Sequence, residues 1–172
     1  MAHWNIGSFA IDGRYIQDHF PGIGRYTYNL IDALARVAPD EQLIVLHNPA
    51  LKNTRYDIAA LARHPNVELR RVNVSTFSLR EQFLPLSVHP QIFHSPYFLK
   101  PYLLRVPSIT TIFDLIPLRL PETMPRERDR FIYRWLIRLA MRTSRRVIVP
   151  SMATRDDLAL LFGREKITVV PL

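Results

Sequence analysis

Cysteine is absent from all 172 residues, which excludes a disulfide framework, thiolate catalysis and any Cys-ligated zinc. The six histidines never fall at a metal-ligand spacing such as H-E-x-x-H, so no metal site is expected. No run of about 18 apolar residues occurs, and the opening does not read as a signal peptide. The expected location is the cytoplasm. Glycine is scarce at five residues, and three of them fall between positions 13 and 24. Acidic residues are outnumbered as well, 15 against 23 basic, leaving a formal charge of +8 that arginine mainly supplies. Such a surface suits a nucleic acid, an anionic membrane or a phosphorylated substrate, and charge alone does not choose among them. What the chain does have is 48% apolar residues, enough for a substantial single-domain core and no disordered tail.

The glycine-bearing stretch organises the rest. Trp4 to Ile11 reads as a short buried strand, and from Ile23 the apolar positions Tyr26, Leu30, Ile31, Leu34 and Val37 recur at helical spacing. The loop between them therefore feeds a helix N-terminus, where unpartnered amides and the macrodipole attract an anion. Gly22 and Gly24 can let a diphosphate or sugar approach the backbone without a Cβ in the way, or they can simply be turn devices. Arg25 can fork to a phosphate or lie along the helix's outer face. Neither G-x-G-x-x-G nor a Gly-Lys-Ser/Thr P-loop is present, which disfavours a nicotinamide site, and no cofactor is expected.

Beyond this loop, strands are expected at 42–47, 67–74, 91–94, 108–113, 146–150 and 166–170. Helices are expected at 54–63, from Ser78 to Pro85 with Ser78 and Glu81 as a capping box, and at 125–144 and 151–162. Pro117, Pro121 and Pro125 should keep the intervening loop out of helix. Alternating strands and helices predict an α/β, Rossmann-like, doubly wound parallel sheet with helices on both faces. In such sheets ligands bind past the carboxyl ends of the strands. Arg14, His94, Tyr97, Asp114 and Ser151 should share that edge. Asp114 equally fits a chain turn, His94 a core position and Ser151 a helix cap.

In the long helix, Arg126, Arg130, Arg134, Arg138 and Arg142 recur every four residues, with Phe131, Trp135, Leu136 and Leu139 as the expected apolar face. Like charges at this spacing repel by about 0.2–0.5 kcal/mol per pair. Either the arginines form a solvated face, or Arg130, Arg134, Arg138 and Arg142 meet an anionic membrane at its inner surface.

Taken together, Asp12-Gly13-Arg14, Gly22-Ile23-Gly24-Arg25-Tyr26-Thr27, Ser78-Leu79-Arg80-Glu81-Gln82, Phe93-His94-Ser95-Pro96-Tyr97, Phe113-Asp114-Leu115-Ile116-Pro117 and Val149-Pro150-Ser151 resemble the N-terminal half of a family 4, or group 1, glycosyltransferase. The resemblance implies one half of a GT-B fold over residues 1–172, with a C-terminal donor-binding domain absent. It implies a retaining transfer from a nucleotide-sugar donor to a saccharide or lipid-linked acceptor, in polysaccharide or glycolipid assembly, with this half inactive alone. Gly22, Gly24 and Arg25 would then flank the donor diphosphate, while Arg14, His94, Tyr97, Asp114 and Ser151 would line the acceptor side. No catalytic residue is assigned. Phe113 departs from the pattern, since many members carry His there, and Phe cannot donate to substrate oxygens. The rival expectation is a basic Rossmann-like module that binds nucleotide or nucleic acid without transferase chemistry. No nucleic-acid motif is interleaved with the arginines, so nucleic acid is not the expected partner.

Overall fold

Short runs rich in Val, Ile, Leu and Thr become seven strands, because β-branched and apolar side chains pack well on a sheet buried on both faces. The computed structural model describes residues 8–87, 89–103 and 105–171. The strands are β1 (Phe9–Asp12), β2 (Leu43–His47), β3 (Val67–Arg71), β4 (Ile92–Ser95), β5 (Ser108–Thr111), β6 (Arg146–Val149) and β7 (Ile167–Val169). All pair in parallel, in the order β3-β2-β1-β4-β5-β6-β7. The expected doubly wound α/β sheet is therefore the fold. The part of the first predicted strand before Ser8 lies outside the described residues.

The chain winds outward from β1 to β3, returns beside β1 as β4, and then winds the other way to β7. The strand order thus reverses between β1 and β4, and a cleft opens beyond their carboxyl ends. Alternation along each strand separates two core layers. Ile11, Leu43 and Val45 face Ile31 and Ala35 of α1 (Pro21–Val37) and Leu61 of the 3₁₀ segment Ile58–Arg63. On the opposite face, Ala10, Ile44 and Phe93 meet Leu84 of the 3₁₀ segment Leu79–Ser87. The register carries that face through Ser108 and Thr110 to Val147. There α2 (Ile116–Arg119) leads into α3 (Glu127–Thr143), and α3 and α4 (Met152–Phe162) close the core with Ile137, Ala140, Met141 and Leu158.

Local chemistry explains most element ends. Ser151 Oγ accepts the Thr154 amide at 3.2 Å to start α4, and Gly163 ends it at φ +92°, where a side chain would be strained. Three expectations change. Pro117 opens α2 and Pro121 opens a 3₁₀ turn (Pro121–Thr123) instead of excluding helix, since a missing N–H is harmless in a first turn. Pro85 does not end the 79–87 segment. Ser78 Oγ accepts the Arg80 amide, but the Glu81 carboxylate turns inward to Arg14, so no capping box forms.

Candidate functional site

β1 ends in Asp12, and the chain turns sharply against β2 at Gly13, where a Cβ would stand 2.7 Å from Val45 Cγ1 and 2.8 Å from Leu46 O. Arg14 then folds back under the loop. Its Nε and Nη2 donate to the two Asp12 carboxylate oxygens at 2.8 and 2.7 Å, Nη2 reaches Glu81 at 3.3 Å, and Nη1 donates to the Ser75 carbonyl at 3.2 Å. Arg14 is 1% exposed, so it is a buried brace and not an acceptor contact. Tyr15 continues the brace, its hydroxyl donating to Leu99 O at 2.5 Å.

The loop delivers Phe20 and Pro21 to the start of α1. No side chain caps this helix, and Gly24 N–H is the donor that closes back on Phe20 O, at 2.7 Å. The Gly22 and Ile23 amides are left at the mouth of a cleft of about 410 Å³ whose walls include Phe20, Gly22, Tyr97, Phe113 and Asp114. A second hollow, about 560 Å³, lies on the other side of Gly22, between Arg25, Tyr26 and Asn29 of α1 and Val170 and Pro171. A Cβ at Gly22 would meet nothing within 4 Å, so the backbone there is open to a ligand.

Gly24 behaves differently. A Cβ there would sit 3.1 Å from Tyr15 O, so this glycine lets α1 pack on the 15–17 backbone and does not face a ligand. Gly24→Val should cost about 1–3 kcal/mol by overpacking, read as a lowered denaturation midpoint. A midpoint at or above that of the parent chain would show the contact to be slack.

His94 is also corrected from cleft lining to support. It is buried, its Nε2 lies 3.0 Å from Thr111 Oγ1, and burial pulls its pKa down to about 4, so the ring is neutral near pH 7. Thr111 Oγ1 is 3.1 Å from the Tyr26 hydroxyl, and the Tyr26 ring meets Phe113 edge-on at 5.2 Å. Phe113, where the family resemblance led to an expectation of His, is thus an aromatic wall held from behind by Tyr26, Thr111 and His94. Thr154 Oγ1 donates to Phe113 O at 3.0 Å, so the Ser151-capped start of α4 fixes the same backbone. Ser151 acts through Thr154 and lines neither cavity.

Tyr97 and Asp114 do reach the cleft. Burial raises the Tyr97 hydroxyl to about 12, which keeps it a neutral donor. Asp114 Oδ1 accepts the Ile116 amide at 3.0 Å, so its turn role is real, while the exposed carboxylate also edges the cleft. His19, Phe20 and Ile23 join the cleft without having been expected there from the sequence. The signal was a bulky aromatic directly before Pro21-Gly22, where a helix would ordinarily take a polar cap.

Of the arginine series, Arg130 turns back on its own helix, donating to Met124 O and Pro125 O at 2.8 and 3.0 Å. It is not part of an outward stripe. Arg134, Arg138 and Arg142 are exposed and line neither cavity at the carboxyl edge.

The fold is similar to that of sucrose-phosphate synthase from Thermosynechococcus elongatus, with a TM-score of 0.63 at 12% identity over 96% of this chain. The chain spans 47% of that protein's length. No curated protein matches it in sequence. A family model described as Glycosyltransferase Family 4 matches residues 21–172, from the first residue of α1 onward, and the chain belongs to that family.

Proposed function

We propose that the chain is the acceptor-side domain of a retaining enzyme that moves a hexose from a nucleotide-sugar donor to a saccharide or glycolipid acceptor. The observation that carries this reading is the convergence, at the β1–β4 reversal, of the uncapped start of α1 with Tyr97, Phe113 and Asp114. The Gly22 and Ile23 amides and the helix dipole suit the negative charge that grows on a departing nucleotide diphosphate. Arg25, exposed in the adjoining hollow, adds a cation. Phe20, Tyr97 and Phe113 offer apolar walls to a sugar ring, and Asp114 can accept from an acceptor hydroxyl and orient it. Asp114 is the single carboxylate among the described cleft residues, so this domain offers no pair of carboxylates, which fits a transfer without a protein nucleophile. Recognition of the nucleotide belongs, in this reading, to a second Rossmann-like domain facing the same cleft.

Calorimetry with a panel of nucleotide sugars tests this. The chain alone should bind none tighter than about 1 mM, whereas the protein extended through a donor domain should bind at least one. In the extended protein, Gly22→Val should lower turnover about 10²-fold, because its side chain would fill the space through which an anion reaches the amides and so disable a preorganised donor, with the melting temperature unchanged. Asp114→Asn should mainly raise the acceptor KM. Tight nucleotide binding by the chain alone, or full turnover in Gly22→Val, would overturn the reading.

A further inference from the structure

A surface helix ordinarily turns its large apolar residues inward. In α3 the inward face is Ile137, Ala140 and Met141. Phe131 and Trp135 instead stand 70% and 54% exposed on the opposite side. Arg128, Arg134, Arg138 and Arg142 share that outer side, because steps of three, four and seven residues return to one face of a helix. Within α3 the carboxylate on this face is Glu127, in the first turn.

Beside these residues a hollow of about 350 Å³ opens between α3 and α4, walled by Arg138 and Arg142 over Met141, Leu161 and Phe162. The Arg138 guanidinium lies 5.9 Å above the Phe162 ring. Neither Arg138 nor Arg142 has an acidic partner among the described residues. Exposed Phe83 and Leu103 belong to the same side of the sheet, joined where Gln82 Oε1 accepts the Leu103 amide at 3.3 Å.

We propose that this outer layer docks on an anionic lipid bilayer, with Phe131 and Trp135 in the headgroup region and a lipid phosphate held between Arg138 and Arg142. Aromatic rings favour the interface between water and hydrocarbon, and arginines near an anionic surface add attraction with each charge. No helix among the described residues is long and apolar enough to cross a membrane, so the layer lies on the bilayer. A second copy is a poor occupant, since two such arginine faces repel. The repulsion among the exposed Arg134, Arg138 and Arg142, which a lone helix would not favour, is relieved by an anionic plane.

Vesicle sedimentation at about 50 mM salt, near a 14 Å screening length, tests the surface with the unmodified chain. Vesicles containing anionic phosphatidylglycerol should bind it, and pure phosphatidylcholine vesicles should not. This arm does not depend on how any variant folds. In a Trp4→Phe background, Trp135 emission should shift to the blue on binding. Arg138→Gln with Arg142→Gln should lower the partition coefficient about 25-fold, from roughly fivefold per arginine. Phe131→Ala with Trp135→Ala should lower it at least tenfold. Arg130→Gln, whose charge is engaged by its own helix, should change it less than twofold.

Equal binding to neutral vesicles, no binding to anionic ones, or equal loss in Arg130→Gln and Arg138→Gln would overturn the proposal. So would release by millimolar inorganic phosphate at constant ionic strength, which would mark a free-phosphate site, or tighter binding to duplex DNA than to the vesicles. Binding is read without donor or acceptor, so either outcome leaves the sugar-transfer reading standing or falling on its own test.

Discussion

Arg14→Ala is expected to destabilise the chain by about 3–5 kcal/mol, the usual loss when one partner of a buried ion pair is removed. Set against the roughly 5–15 kcal/mol that holds a typical domain, this brings the protein to the edge of unfolding. The reason lies in what the guanidinium leaves behind. Asp12 is fully buried and Glu81 nearly so, and without Arg14 two carboxylates would face each other with no cation between them. The Ser75 carbonyl would lose a donor as well. Arg14→Lys should recover only part of the loss, because an ammonium cannot reproduce the two-pronged bond to Asp12. Glu81→Gln is the informative partner. Burial already raises the Glu81 pKa above its ordinary value, Arg14 opposes that rise and Asp12 reinforces it, so folding makes this acid harder to ionise. Stability from this group therefore falls as pH climbs from its ordinary value through the raised one, and Glu81→Gln should abolish that slope at little cost near pH 7. Urea denaturation reads both effects. At a slope of about 2 kcal/mol/M, Arg14→Ala should move the midpoint down by roughly 2 M, and a drop under about 0.3 M would show that the brace carries little energy.

That brace also marks where the sequence stops being readable. Strand and helix alternation is written locally, in β-branched runs and in caps such as Ser151 and Gly163, so the doubly wound sheet follows from short windows. The fate of Arg14 is not local. It depends on Glu81, 67 residues away, and on the carbonyls of the 74–75 stretch, which only the return of the chain from β3 to β4 brings alongside. Gly24 misleads for the same reason, since its need for no Cβ comes from the Tyr15 backbone across the loop and not from any ligand. In α3 the difficulty is of another kind. The helix carries two apolar stripes, Phe131 with Trp135 and Ile137 with Ala140 and Met141, and periodicity cannot say which of them faces the sheet. The turn and the edge position of Asp114 could be read, because an Asx turn after a strand and a place at the carboxyl edge are both short-range consequences of its position.

Lys100→Met is expected to make the chain more stable near neutral pH, by about 1–3 kcal/mol, the balance between a relieved burial cost and two lost hydrogen bonds. Lys100 is fully buried, and its Nζ donates to Ser108 Oγ at 2.7 Å and Ser144 Oγ at 2.8 Å, with no carboxylate in reach among the described residues. Burial lowers its pKa to about 7. A neutral amine has two N–H groups, and both hydroxyls accept one. The hydroxyls keep other partners when the lysine is removed, since Ser144 Oγ reaches Ala140 O and Thr110 Oγ1 at 2.7 Å and Ser108 Oγ reaches Thr143 O at 3.3 Å. The unfolded chain binds a proton here up to about pH 10.4, whereas the folded chain gives it up near 7, so unfolding takes up a proton between those values and stability rises with pH across that window. Below pH 7 the full cost of burying the ammonium remains. Every tenfold loss of proton affinity on folding costs about 1.4 kcal/mol there, and the two hydrogen bonds to the hydroxyls offset about 1 kcal/mol each. Lys100→Met should therefore gain several degrees in melting temperature at pH 6.5, lose most of that gain by pH 10, and flatten the alkaline rise in stability seen in the parent chain. A variant that melts lower than the parent by the same margin at every pH would show instead that the lysine stays charged and that its two hydroxyl partners stabilise it.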